Sequence, residues 1–142
     1  MTNYERECDL NYIKLIKKDI DCNGAFINYK SLNIIAINPN LTNNQYNCVM
    51  CEELGHFYMK ATYNINCNDK AYIDKQEYKA KKYAYERLVP YSLLKELSSK
   101  YDEYEICDKL EITHDFLINA YNYYMSKYGL WKKEKMVAFV LK

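Results

Sequence analysis

The first apolar positions to group together are Tyr12, Ile13, Leu15 and Ile16, and their spacing predicts a helix over about 4–19 that stops at Asn23-Gly24. Two strands are expected next. Ala25-Phe26-Ile27-Asn28-Tyr29 and Leu32 to Ile37 are rich in β-branched and aromatic residues, and the polar turn Lys30-Ser31 joins them into a hairpin that ends at Asn38-Pro39-Asn40. Thr42 reads as the N-cap of a long helix to about Thr62, followed by a loop over 64–69. Further helices are predicted from about Asp74 to Leu88, from Pro90 to about Ser99, from Tyr101 to Leu110, and from the N-cap Thr113 to Tyr128 with Gly129 as C-cap. For Trp131 to Lys142 the run Met136 to Leu141 leaves a buried strand and a short helix both open.

Within the helix over 42–62, Tyr46, Val49, Met50, Leu54, Phe57 and Ala61 recur at three- and four-residue intervals. Glu53 falls inside that apolar arc, and Glu52 and His56 flank it. On the following helix Ile73, Ala80, Ala84 and Leu88 form a second stripe whose gap is filled by Glu77. Burying an unpaired carboxylate costs several kcal/mol, so two acids on core-facing lines beside a histidine call for a shared compensating charge. A metal cation is the economical explanation, and Ala80 and Ala84 are small enough for the helices to approach. Spacing alone leaves open the alternative of a partly exposed Glu53 and an ordinary i, i+4 pair of Glu52 and His56.

The same five residues, Glu52-Glu53-Leu54-Gly55-His56, stand one substitution from H-E-x-x-H, the helix signature of zinc peptidases. In that motif two histidines one turn apart bind the metal and the intervening Glu is the general base. Glu52 occupies the place of the first histidine.

Bulk composition narrows the class without naming it. A chain of 142 residues, 49% hydrophobic and with a formal charge of +1, is expected to form one domain over 1–142, with 101–130 as a C-terminal helix pair. Near-neutral charge gives no electrostatic footprint for nucleic acid, and no apolar stretch reaches membrane-spanning length. The absence of a secretion pattern at the N-terminus leads to an expected cytoplasmic location, with Cys8, Cys22, Cys48, Cys51, Cys67 and Cys107 as free thiols. The 17 Tyr, with abundant Asn, Lys and Ile, fit the codon bias of an AT-rich genome rather than a stacking surface.

Several segments in order carry a resemblance. Gly24-Ala25-Phe26-Ile27, Ile34 to Asn38, Cys48 to Tyr58, Glu77-Tyr78-Lys79-Ala80 through Ala84, and Leu88-Val89-Pro90 together resemble the ImmA/IrrE family of metallopeptidases, from about residue 20 to 130. The resemblance implies an α+β, mostly helical, zincin-like domain with a small sheet packed on the motif helix. It also implies a mobile-element setting in which the substrate is a helix-turn-helix repressor. Position by position, it makes Glu53 the general base and His56, Glu77 and Glu52 the metal ligands, with Zn as cofactor and Mn or Fe admitted by the oxygen-rich set. Lys81, where many members carry Asn or Asp, is a second departure beside Glu52. The contrasting expectation is a non-catalytic anti-repressor that binds the repressor without cutting it.

Other constellations are read more plainly. Cys48-Val49-Met50-Cys51 lacks a second pair at zinc spacing and is expected to be core packing, with a contribution of Cys51 to a displaced metal site as the lesser reading. Glu111-x-x-His114 mimics a di-iron motif but straddles a predicted helix break, so His114 is expected at the surface or in a cap. Asp102 to Leu110 and Thr113 to Tyr128 have helix-turn-helix spacing, but the acids Asp102, Glu103, Glu105, Asp108, Glu111 and Asp115 on the pair oppose DNA binding. Packing, or docking of a protein substrate, fits that charge better.

Overall fold

The first helix is only eight residues long. In the computed structural model, which describes residues 1–129, α1 spans Asn3–Leu10 and is held by a capping box in which Thr2 and Glu5 exchange hydrogen bonds. Tyr12 then takes a φ of 57°, a left-handed value incompatible with helix continuation, and β1 (Ile13–Lys17) follows. The expected helix over 4–19 is therefore wrong in its second half. Ile13 and Leu15 alternate with the exposed Lys14, which is a period of two, and the adjacent Ile16 had lent the segment a helical look. The ambiguous segment Trp131 to Lys142 lies outside the described residues.

The hairpin forms as the turn chemistry requires. β2 (Gly24–Tyr29) pairs antiparallel with β3 (Leu32–Ile37), Phe26 standing opposite Ile35, and the turn residues Lys30 and Ser31 both have positive φ, at 48° and 66°. β1 adds on the other side, parallel to β3 with Leu15 opposite Ile35, giving the strand order β1-β3-β2. β3 is thus central and buries Ile35 and Ile37, while β2 lies at one edge, next to the helix that carries the motif.

That helix, α2 (Asn43–Tyr58), starts at a second capping box, between Thr42 and Gln45. It ends four residues earlier than the sequence pattern suggests. Lys60 adopts a φ of 51°, and the N–H groups of Lys60 and Ala61 close back onto the carbonyls of Phe57 and His56. Ala61 is consequently buried but no longer helical. After the loop, α3 (Lys70–Leu88) begins four residues before the expected Asp74, because the Asp69 side chain accepts from the Tyr72 N–H. α4 (Tyr91–Ser98), α5 (Glu103–Leu110) and α6 (His114–Tyr128) complete the described chain. Glu111, in the left-handed region, and the cap Thr113 make the turn between the last two.

α2 belongs to two apolar clusters at once. Met50 and Leu54 pack with Cys8, Ile13, Ile35 and Ile37 under the sheet, whereas Cys48 and Cys51 join Ala84, Val89, Ile106, Ile112, Leu117 and Tyr124 among the helices. Both cysteines of Cys48-x-x-Cys51 are therefore core residues, as expected, and the six thiols are free. Burial on both sides leaves α2 no freedom to roll. The domain is α+β and mostly helical, and among the described residues no helix is long and apolar enough to cross a membrane.

The contact between α2 and α3 is tight because Gly55 meets Ala80. A Cβ on Gly55 would lie 2.6 Å from the Ala80 carbonyl oxygen and 3.1 Å from its Cα, so two backbones are touching. A clamp secures the far end of the pair: Arg87 on α3 makes two hydrogen bonds, of 2.6 and 2.9 Å, to Glu7 on α1, and Tyr58 on α2 donates to the same carboxylate at 2.6 Å. These bonds hold the Glu7 carboxyl below its usual range.

Gly55→Ala is expected to destabilise the protein by about 1–3 kcal/mol in urea unfolding, because the added methyl must displace backbone. In an unconstrained helix the same change stabilises by roughly 1 kcal/mol, so a gain in stability would show that the close approach is absent.

Candidate metal centre

Glu52, His56 and Glu77 offer one ligand atom each, and these atoms lie within 4.8 Å of one another. Two come from adjacent turns of α2 and the third from α3, brought opposite by the contact of Gly55 with Ala80. His56 Nε2 is 3.4 Å from Glu77 Oε2. The expected ligand set is therefore one spatial group.

The histidine is oriented from behind. Its Nδ1 is 2.6 Å from the Ala61 carbonyl oxygen, which can only accept, so Nδ1 carries a hydrogen and it is Nε2 whose lone pair, once that nitrogen gives up its proton, faces the group. The turn that ends α2 at Tyr58 puts that carbonyl in reach. Phe26 of β2 lies parallel to the imidazole within 1° at a centroid distance of 6.4 Å, so the edge strand walls one side. Glu77 is held in turn by Tyr63, whose hydroxyl donates to Oε1 at 2.7 Å and leaves Oε2 toward His56. Ala61, Tyr63 and Phe26 thus support the site, although Ala61 reads in the sequence only as an apolar stripe position and the other two lie outside the helical stripes.

Glu53 occupies a different place. It is only 8% exposed, pointing toward β2, where the nearby Phe26 backbone N–H favours its ionised form. Gly24 leaves room for it, since a Cβ there would come within 3.5 Å of Glu53 Cγ and 2.6 Å of Val49 Cγ1. Burial pushes the Glu53 carboxyl well above the usual carboxylate range, against the pull of His56. Glu52 is raised for the same reason, with Lys81 the main opposing charge. Burial disfavours a charged His56, but its bonds to Glu77 and the Ala61 carbonyl outweigh that and raise it. Hydrogen bonding from His56 lowers Glu77.

These residues fit a divalent cation. Three converging donors, one nitrogen and two carboxylate oxygens, match the zinc-type set, and among the described residues Glu52 receives no hydrogen bond that would otherwise neutralise it. The oxygen-rich composition also suits Mn or Fe. Three protein ligands leave a coordination position for water or substrate. Cys51 stays apart, its Sγ 3.2 Å from the Tyr4 hydroxyl.

The di-iron arrangement does not form. His114 opens α6 with its side chain partly at the surface, as expected, and there stacks on Tyr104 at 4.9 Å and sits 3.4 Å from Oε1 of the buried Glu103. This pair turns one member of the expected acidic cluster inward.

An α+β domain whose central helix and its neighbour gather such a group has the make-up of a metallopeptidase. The comparison with known families agrees: the chain matches the IrrE N-terminal-like domain, Peptidase_M78, over residues 8–119, and belongs to that family. No curated protein and no solved structure matches it.

A raised carboxyl has a consequence for stability. An acid whose pKa is higher folded than unfolded holds its proton better in the fold, so stability is lost as pH rises from the unfolded value near 4.3 through the folded one. Metal-free Glu53→Gln is expected to be more stable than the native chain at pH 8, by about 1–3 kcal/mol, with the gap closing toward pH 4. Equal stability at both pH values in urea titrations would show that Glu53 ionises without cost.

Proposed function

We propose that the chain is a metal-dependent endopeptidase whose substrate is a helix-turn-helix repressor of a prophage or mobile element, acting in the cytoplasm. The observation that carries the enzymatic part is the placement of Glu53: a buried, proton-retaining carboxyl next to, but outside, the Glu52, His56 and Glu77 group. The repressor as substrate rests on the resemblance of the motif segments to the ImmA/IrrE metallopeptidases and is the part the experiment below addresses.

Glu52, His56 and Glu77 would hold the ion. When bound, a divalent cation supplies Lewis acidity, polarising the scissile carbonyl and acidifying water. Glu53 takes a proton from the attacking water and delivers it to the leaving amine, a role that needs a carboxyl with a pKa closer to neutrality than an exposed Glu has. The Ala61 carbonyl and Phe26 keep His56 in one tautomer and one orientation during turnover. Tyr63 fixes Glu77. The Phe26 amide holds Glu53 on the side facing β2.

Glu52 favours one alternative. With two carboxylates and one imidazole, the ligand charge is −2 rather than the −1 of a two-histidine set, which cancels a divalent ion and weakens it as a Lewis acid. A metal-stabilised anti-repressor that binds without cutting is the reading this feature supports.

Incubating the metal-loaded chain with the repressor encoded next to it should give discrete fragments. Glu53→Gln should slow their appearance by about 10²–10⁴-fold while retaining the metal. Loss of DNA binding by the repressor without fragments, and unaffected by the substitution, would favour the anti-repressor.

A further inference from the structure

A cleft of about 290 Å³ opens between α3 and α6, lined by Tyr78, Lys81 and Tyr85 on the first helix and by Asn119, Asn122 and Tyr123 among others on the second. It adjoins the metal centre. Tyr78 follows Glu77 directly, and α2 and α3 run antiparallel past each other, with His56 against Glu77 and Gly55 against Ala80. One turn back on α2 from His56 is Glu52; one turn on along α3 from Glu77 is Lys81. Both Lys81 and Tyr85 sense the Glu52 charge, so the cleft reaches the side of the group where Glu52 sits.

The lining has a distinct chemistry. Lys81 is the sole charged side chain among the residues that line the cleft, it is exposed, and it makes no ion pair with the described residues. Asn119 and Asn122 are exposed and spend no side-chain hydrogen bond within the described fold. Glu86, which meets the lining residue Tyr123, is already occupied by the Tyr123 hydroxyl and by Lys127. Tyrosine faces give apolar walls. A concave surface with aromatic walls, free amides and a single cation is complementary to an anionic side chain on a polypeptide.

We infer that Lys81 is a specificity-determining residue: the cleft between α3 and α6 receives an Asp or Glu side chain of the polypeptide bound at the metal centre, with Lys81 pairing its carboxylate and Asn119 and Asn122 binding nearby backbone. This rests on the peptidase reading for the occupant being a polypeptide.

The test uses the Zn-loaded full chain carrying Glu53→Gln, so that bound peptide is not cut. Two pools of end-blocked, fluorescein-labelled peptides share a random sequence and differ at one fixed central position, Glu in one and Gln in the other. Fluorescence polarisation should show the Glu pool binding about five- to tenfold more tightly, the scale of one partly screened charge pair. Adding Lys81→Arg should keep the preference, Lys81→Met should erase it, and Lys81→Glu should invert it in favour of a Lys pool. A Glu preference that persists in Lys81→Met, equal affinity of the two pools, or binding of neither overturns the inference. The peptidase reading fails separately: the native chain would then leave both pools uncut while the charge preference stood.

Discussion

The close approach of α2 and α3 at Gly55 and Ala80 is the contact on which the rest of the site depends. It brings a carboxylate from one helix to within 3.4 Å of an imidazole on the other, which side chains of ordinary size between the helices would prevent. Everything around the contact keeps it from opening. The sheet fixes one face of α2 through Met50 and Leu54, the helical cluster fixes another through Cys48 and Cys51, and the pairing of Glu7 with Arg87 ties α1 to the end of α3.

Such rigidity carries a cost that the chemistry explains. Three carboxylates and an imidazole share a small region with an exposed lysine at its side, and burial raises Glu52 and Glu53 against their own ionisation. A fold selected for stability alone would place apolar residues there, since replacing buried ions by well-packed apolar groups is often neutral or stabilising. The arrangement is instead suited to a divalent cation, which converts repulsion among the acids into ligation. The Ala61 carbonyl and the Tyr63 hydroxyl show the same design one layer out, holding His56 and Glu77 in position before any ion arrives.

Much of this was legible in the residues, for identifiable reasons. Glu53 and Glu77 stood out because a carboxylate on an apolar stripe is costly, and Thr42, Thr113 and the Lys30-Ser31 turn were visible because caps and two-residue turns are local chemistry. The half-helix over 4–19 was misread because the left-handed Tyr12 is invisible in a hydrophobic pattern and five residues cannot separate a period of two from one of 3.6. The early end of α2 was hidden for a related reason: Lys60 closes the helix in a conformation usually left to glycine, and the Ala61 carbonyl behind His56 is a product of that turn. Gly55 gave no signal by type, since its role is a contact with a helix far along the chain. His114 could not be matched to Glu103 because the two meet only when α5 folds against α6.

The central claim is that one imidazole and two carboxylates, with Glu52 among them, hold the ion. X-ray absorption at the Zn edge of the loaded native chain tests it most directly. The account predicts a first shell of oxygen and nitrogen only, with the multiple-scattering signature of a single histidine, and a lower carboxylate oxygen count in Glu52→Ala. A sulfur shell, or a spectrum unchanged by removing Glu52, would contradict it.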